Sequence, residues 1–289
     1  AAAKAVIDCG YFHLMTSRFG AEKDKAGDPF SDMFKEYNQN RTSGNMESIW
    51  VMQLEYNTTG GGGANEDWTK RAWVPKYYNE DGFVLADSLG GRGLAQIVPF
   101  KWWIDSNDFF ASSDIRNSEY NIKRNWYYND KYGKKAEITE ETWTKFTIYP
   151  AVTKFFYGKA EDLSYGGNNK DRMKFRLAET YLLLAEARLM QNNAQGAADA
   201  INVIRKRANA PEITAKDATI DFLLDERIRE LVGEELRRFT LVRTGKLVER
   251  VKKYNPHSNT MDEHHTLWPI PQTIIDSNTG AEFPQNPGY

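Results

Sequence analysis

Apolar residues follow a helical period over long stretches only in the last third of this chain. Leu177, Tyr181, Leu184, Ala185 and Leu189 share one face of an α-helix, at the i, i+4, i+7, i+8 spacing. Asn192 and Asn193 interrupt that stripe, and Ala197, Ala200, Ile201, Ile204 and Ala208 begin a second. Small residues at Ala185 and Ala197 let two antiparallel helices approach closely. The pattern is that of a tetratricopeptide repeat, a helix–turn–helix unit of about 34 residues. One such unit cannot bury its apolar face alone, and stability requires about three in a stack. A third helix is predicted to start at Thr219, a hydroxyl N-cap, with Ile220, Leu223, Leu224, Ile228, Leu231 and Val232 facing inward. It is expected to continue as one charged helix to Arg243. Its pairs Asp225 with Arg229 and Glu234 with Arg238 lie four apart in the favourable acid-first order. Residues 1–10 also have helical composition, with Gly10 as the stop.

From Phe19 to about Gly167 the period is lost. Gly60 to Gly63, Gly90 to Gly93 and Gly166 to Asn169 punctuate short polar and aromatic stretches. So long a loop-rich stretch is either functional or disordered, and its wealth of aromatic residues argues against disorder. Short helices and small hairpins held by buried rings are expected. Residues 147–155 have the β-branched and aromatic run of a strand, which Pro150 restricts to an edge. Beyond Pro256 the prolines at 269, 271, 284 and 287 predict extended chain without helix. Trp268 and Ile270 are expected to anchor that tail by burial against the helices.

Composition narrows the chemistry. The 289 residues are 40% hydrophobic, and no run approaches the roughly 20 apolar residues of a membrane span. A net charge of -2 from 38 basic and 40 acidic residues leaves no electrostatic footprint for nucleic acid. Cys9 is the only cysteine, which excludes a disulfide framework and a cysteine-based zinc site. It is read as a small buried apolar residue. The adjacent His264 and His265 point apart on any regular element, a poor geometry for one metal. Neither glycine run has the context of a phosphate or dinucleotide loop, and no Gly-x-Ser-x-Gly elbow occurs. In the charged helix Glu230 and Glu234 interleave with Arg227, Arg229, Arg237, Arg238 and Arg243. Arginine lowers a carboxylate pKa, the wrong direction for a general acid. A structural ion-pair network is the expectation there, and no cofactor is implied.

The 8 Trp, 15 Tyr and 15 Phe remain. Trp68, Trp73, Tyr77 and Tyr78 follow the tetraglycine, mixed with Asn65, Asp67, Lys70 and Arg71, and Trp102 and Trp103 come next. A sugar presents an apolar C–H face and a rim of hydroxyls, which flat rings and Asn, Asp, Arg or Lys match. Ligand sites combine an apolar floor with a few convergent polar groups. The same rings can instead serve as the core of an irregular lobe. Asn65, Asp67, Trp68, Trp73, Tyr77, Tyr78, Trp102 and Trp103 are therefore the candidate ligand-binding residues, with no catalytic or metal residue assigned.

Four blocks in register carry a family resemblance. They are Arg176 to Ala187 with Ala197 to Ala208, then Glu226 to Leu231 running on to Lys246, then Leu267-Trp268-Pro269-Ile270-Pro271-Gln272, and the terminal Gln285-Asn286-Pro287-Gly288-Tyr289. Asn45-Met46-Glu47-Ser48-Ile49 adds a shorter one. The chain resembles the SusD/RagB family of outer-membrane nutrient-binding lipoproteins of Bacteroidetes, lacking the family's N-terminal helical repeats and lipidated cysteine. It departs from the family's usual Phe-Glu-Gly-His-Arg wording at Gly233-Glu234-Glu235-Leu236-Arg237. The resemblance implies a mainly α fold of tetratricopeptide-like repeats, with a large irregular loop-rich lobe and an extended C-terminal tail. The chain would be one SusD-like domain fragment. Residues 1–18 end a repeat helix, 19–170 form the ligand-binding lobe, 171–255 the helical pair and charged helix, and 256–289 the tail. It implies a non-enzymatic protein that binds oligosaccharide at the outer-membrane surface and delivers it to a SusC-like TonB-dependent transporter. Membrane attachment would come through an N-terminal lipid anchor absent from this chain. A peptide ligand, a glycoside hydrolase with paired carboxylates, and a tetratricopeptide scaffold for protein partners are the alternatives.

Overall fold

A computed structural model describes residues 1–56, 58–61, 67–131, 133–158 and 162–289. Helix α1 (Ala2–Asp8) ends before Gly10, whose positive φ stops it as the composition predicts. Cys9, expected inside, is exposed, with its thiol on the Val6 carbonyl. It follows a helix that has no buried residue, so nothing covers it.

The lobe is assembled from short pieces: α2 (Pro29–Asp32), β1 (Ser48–Met52), α3 (Thr69–Trp73), α4 (Lys101–Ile104), β2 (Ile122–Lys123), β3 (Trp126–Tyr127), β4 (Lys135–Ala136), α5 (Glu140–Thr144), β5 (Ala151–Val152) and β6 (Arg172–Arg176). Local capping starts several of them. Asp28 and Ser31 form a capping box at α2, and Thr139 and Thr142 form another at α5. The strands pair as β1–β6, β2–β5 and β3–β4, all antiparallel. The strand expected over 147–155 shrinks to two residues directly after Pro150. The lobe's core is aromatic. Trp126 is fully buried, stacks on Tyr77 at 5.9 Å and donates its indole N–H to the Tyr149 carbonyl at 3.0 Å.

Helices α6 (Leu177–Met190) and α7 (Ala194–Arg207) form the predicted pair. Asn192 makes the turn at positive φ, and Asn193 caps α7 by accepting from the Gly196 N–H. Leu182, Ala185, Ala197, Ile201 and Ile204 are fully enclosed between them. Helix α8 (Ile220–Leu231) packs its Leu223 and Leu231 into the same cluster, capped by the Thr219 hydroxyl as expected.

The charged segment does not continue as one helix. Gly233 sits at φ +75, and a Cβ there would lie 2.4 Å from the Phe155 ring, so the chain turns. Compact structure divides at this point into residues 1–234 and 235–289. The second unit holds α9 (Arg237–Arg243), α10 (Leu247–Tyr254) and α11 (Gln272–Ser277). Helix α11 lies in the stretch expected to have none. Pro271 occupies its N-cap, where the missing N–H costs nothing. Trp268 is 62% exposed rather than buried, with the Arg238 guanidinium 4.3 Å from its ring centroid. The tail is held instead by its own two terminal blocks. Gln285 exchanges two hydrogen bonds with the Ile270 backbone, Asn286 donates to the Trp268 carbonyl, and the Tyr289 hydroxyl donates to that of Leu267.

Candidate functional site

Helix α3 begins where Asp67 accepts the Thr69 N–H at 2.8 Å. That bond supports the helix start, and at 5% exposure the carboxylate is buried, its Oδ2 without a hydrogen-bond partner among the described residues. Asn65, its expected companion, lies outside the described residues. Trp68 alone among the candidate rings is more than a third exposed, at 44%. The Arg71 guanidinium lies 4.5 Å from its centroid, a cation–π pair that fixes the indole's orientation. Arg71 in turn fills the space above Gly166, where a Cβ would overlap the guanidinium.

The other candidate rings serve the lobe's interior to differing degrees. Tyr77 is fully buried. Its hydroxyl lies 2.9 Å from the Ala86 and Gly91 carbonyls, and burial pushes its pKa up to about 12. Trp103 is 6% exposed in the same core. Both were expected as stacking faces, and enclosure removes them from contact with a ligand in this structure. Trp73 stacks on Phe155 at 5.3 Å, Tyr78 donates its hydroxyl to the Gly93 carbonyl at 2.8 Å, and Trp102 meets Phe109 edge-on at 5.3 Å. All three are partly buried against the core. The run from Trp68 to Tyr78 is therefore brought together, but it presents mainly Trp68 and Arg71.

Two tyrosines that sequence reasoning passed over complete this surface. Tyr56 and Tyr165 meet edge-to-face at 5.0 Å, and Tyr56 is 37% exposed. The buried Lys70 ties them to α3. Its ammonium donates to the Tyr165 carbonyl and lies 5.4 Å from that ring, and burial lowers its pKa to about 8. The Tyr165 hydroxyl donates to Asn169, while Asn168 donates to Thr69 at 2.8 Å. No periodicity links these positions. They meet because the loop before β6 folds over α3.

The carboxylates of the charged segment lie elsewhere and are fully engaged. Glu230 is buried among Arg116, Arg176 and Arg207, and Glu226 among Arg116, Arg205 and Arg229. Glu234 pairs with Arg176 and Lys154. Burial alone would raise these carboxyl pKa values. Arg207, Arg176 and Arg116 outweigh it at Glu230 and hold that group far below the usual carboxylate range. The network joins the lobe, through Glu47, Asp114 and Arg116, to β6, α7 and α8. At Glu226, Glu230 and Glu234 the pKa is lowered, the wrong direction for a general acid.

The model of the SusD family matches residues 30–289. The chain belongs to the SusD family. Among proteins similar to this SusD-family chain is SusD-like protein P25 of Formosa agariphila, 24% identical over 86% of this chain and 49% of that protein. Surface glycan-binding protein A from Bacteroides fluxus is 25% identical, with a TM-score of 0.64, over 100% of this chain and 57% of that one. The Bacteroides thetaiotaomicron protein of the same description, in complex with laminarihexaose, superposes with a TM-score of 0.66 at 21% identity, over 98% of this chain and 58% of that one. The SusD-family chain thus spans about half the length of the relatives it matches.

Proposed function

We propose that this SusD-family protein is a non-catalytic binder of oligosaccharide at the cell surface, which delivers its ligand to a SusC-like TonB-dependent transporter. The observation that carries the binding reading is the exposed Trp68–Arg71 platform flanked by Tyr56 and Tyr165. A rigid indole offers an apolar face to a sugar ring, and the guanidinium and phenols beside it offer donors and acceptors to hydroxyls. The glycan-binding descriptions of the Bacteroides fluxus and Bacteroides thetaiotaomicron proteins support the same ligand class. Surface attachment and the transporter partner are carried by family membership. Among the described residues no helix is long and apolar enough to cross a membrane.

A combined glycan and peptide array probed with the full-length protein tests the ligand class. Oligosaccharide spots should bind and should fade with Trp68→Ala at an unchanged melting temperature. Binding to peptides alone, or glycan binding indifferent to Trp68→Ala, would sink this reading of the site. Co-purification with a TonB-dependent transporter from detergent-solubilised outer membranes tests delivery. An untagged protein that never retains such a partner argues against it.

A further inference from the structure

A concavity in the lobe has none of the candidates read from the sequence in its lining. It encloses about 440 Å³ and is lined by Phe34, Asp87, Glu119, Tyr120, Phe156 and Tyr157 among others. That volume is within the range of small-molecule sites, roughly 300–1,000 Å³. We propose that this cleft is a second saccharide subsite, which accepts a neutral sugar unit and rejects an anionic one. The inference rests on the glycan-binding reading above and extends it to a different set of residues.

The walls are fixed before any ligand arrives. The buried Lys170 ammonium donates to the carbonyls of Phe34 at 2.7 Å, Lys154 at 2.6 Å and Phe156 at 3.1 Å, so one side chain holds two wall segments together. Phe156 lies directly on Gly90, where a Cβ would come within 2.8 Å of its ring. Gly158 is as closely covered, since a Cβ there would come within 2.4 Å of the Asp87 backbone. The Thr153 hydroxyl donates to the Tyr120 carbonyl at 2.6 Å. A site prepared in this way loses little freedom on binding.

Charge defines what it takes. The lining carries carboxylates at Glu22, Glu36, Asp87 and Glu119 against ammonium groups at Lys35 and Lys123. Lys35 is paired with Glu22 at 3.4 Å, and the Lys123 ammonium lies 5.0 Å from the Trp126 centroid. Asp87 and Glu119 are exposed, and Glu119 offsets part of the burial cost of the Lys123 ammonium, which leaves Asp87 and Glu36 to set the sign of the lining. An ionised carboxylate only accepts hydrogen bonds, so a hydroxyl rim satisfies it and a uronate or sulfate is repelled. The buried Lys70 lies behind the cleft wall. Its ammonium lies 5.8 Å from the ring of Tyr157 in the cleft wall and 5.4 Å from that of Tyr165 on the platform side.

Calorimetry on the full-length protein tests this, with neutral hexasaccharides of glucose, xylose, mannose and galactose as probes beside hexagalacturonate. At least one neutral probe should bind and hexagalacturonate should not. Asp87→Asn with Glu119→Gln should weaken the neutral probe about tenfold and narrow the gap to hexagalacturonate, with the melting temperature unchanged. Tyr120→Ala, which leaves the carboxylates in place, should weaken the neutral probe without changing that preference. If the neutral probe binds and responds to Trp68→Ala but to neither cleft variant, the second subsite is wrong and the platform stands. Tighter binding of hexagalacturonate than of every neutral probe overturns the charge argument. If no probe binds, the glycan reading fails and the subsite with it.

Discussion

Trp68 and Tyr77 lie on one short stretch of chain, yet they have opposite fates, and single substitutions should separate them. Trp68 is exposed on its Arg71 support, so its removal takes little packing from the core. Trp68→Ala should cost about 2 kcal/mol or more of binding if the ring is a hot spot. That is over tenfold in affinity, at about 1.4 kcal/mol per factor of ten, and calorimetry beside melting curves reads it. Tyr77 is the reverse case. Tyr77→Phe takes the hydroxyl partner from the buried Gly91 carbonyl and from the Ala86 N–H, and leaving buried polar groups unpaired costs about 1–3 kcal/mol. Urea unfolding should show that loss while the affinity of the folded fraction stays unchanged. Equal effects of both variants on binding would contradict this division. The alternation of aromatic and polar residues told where rings were concentrated. It could not tell which were covered, because Trp73 and Tyr77 are covered by Phe155 and Trp126, distant in sequence.

At the scale of elements, the helices were legible because their signals are local. The α6/α7 stripe, the Asn192 turn and the Thr219 cap each depend on residues within a few positions. Thr219→Ala should lower stability by about 1 kcal/mol, the usual worth of a hydroxyl cap. The break after α8 was not legible, since a glycine inside a charged run is compatible with helix. Gly233 has a positive φ, and the Phe155 and Trp73 rings occupy the space a side chain would need. Gly233→Ala should therefore destabilise more than Thr219→Ala in the same thermal melts, because it adds backbone strain to a steric clash. A smaller loss at Gly233 would mean that the neighbouring rings yield easily. In the tail, the prolines predict no helix at all and α11 forms regardless, because a proline at an N-cap gives up no hydrogen bond.

The whole molecule depends on the buried ion network. Arg176 is 2% exposed and serves Glu47, Glu230 and Glu234 together. Arg176→Met should cost about 3–5 kcal/mol, the usual consequence of leaving buried charge without its partner. A denaturant midpoint close to that of the parent would contradict the assignment. Glu226, Glu230 and Glu234 all have folded pKa values below the ordinary 4.5. The unfolded chain therefore binds protons that the folded one does not. Their contribution is complete above about pH 4.5 and is lost as pH falls through the depressed folded values. The urea midpoint should accordingly drop steeply below that point and stay nearly level from there toward neutrality. A midpoint that held level down to pH 3 would show that these groups are not paired in solution.

What the sequence determined by itself was the helical pair, the caps, the interleaving of arginine with carboxylate and the family. Each is written in spacings or in short blocks that need no knowledge of distant contacts. Only the tertiary structure decided that Arg116 and Glu47 join that network, that Tyr56 and Tyr165 meet beside Lys70 of α3, and that Phe34, Asp87, Glu119 and Phe156 line one cleft. These groupings come from loops whose ends are fixed by buried rings and by single buried lysines such as Lys170. A loop has no period. Its course is set by what it packs against, and that information is held by the rest of the chain.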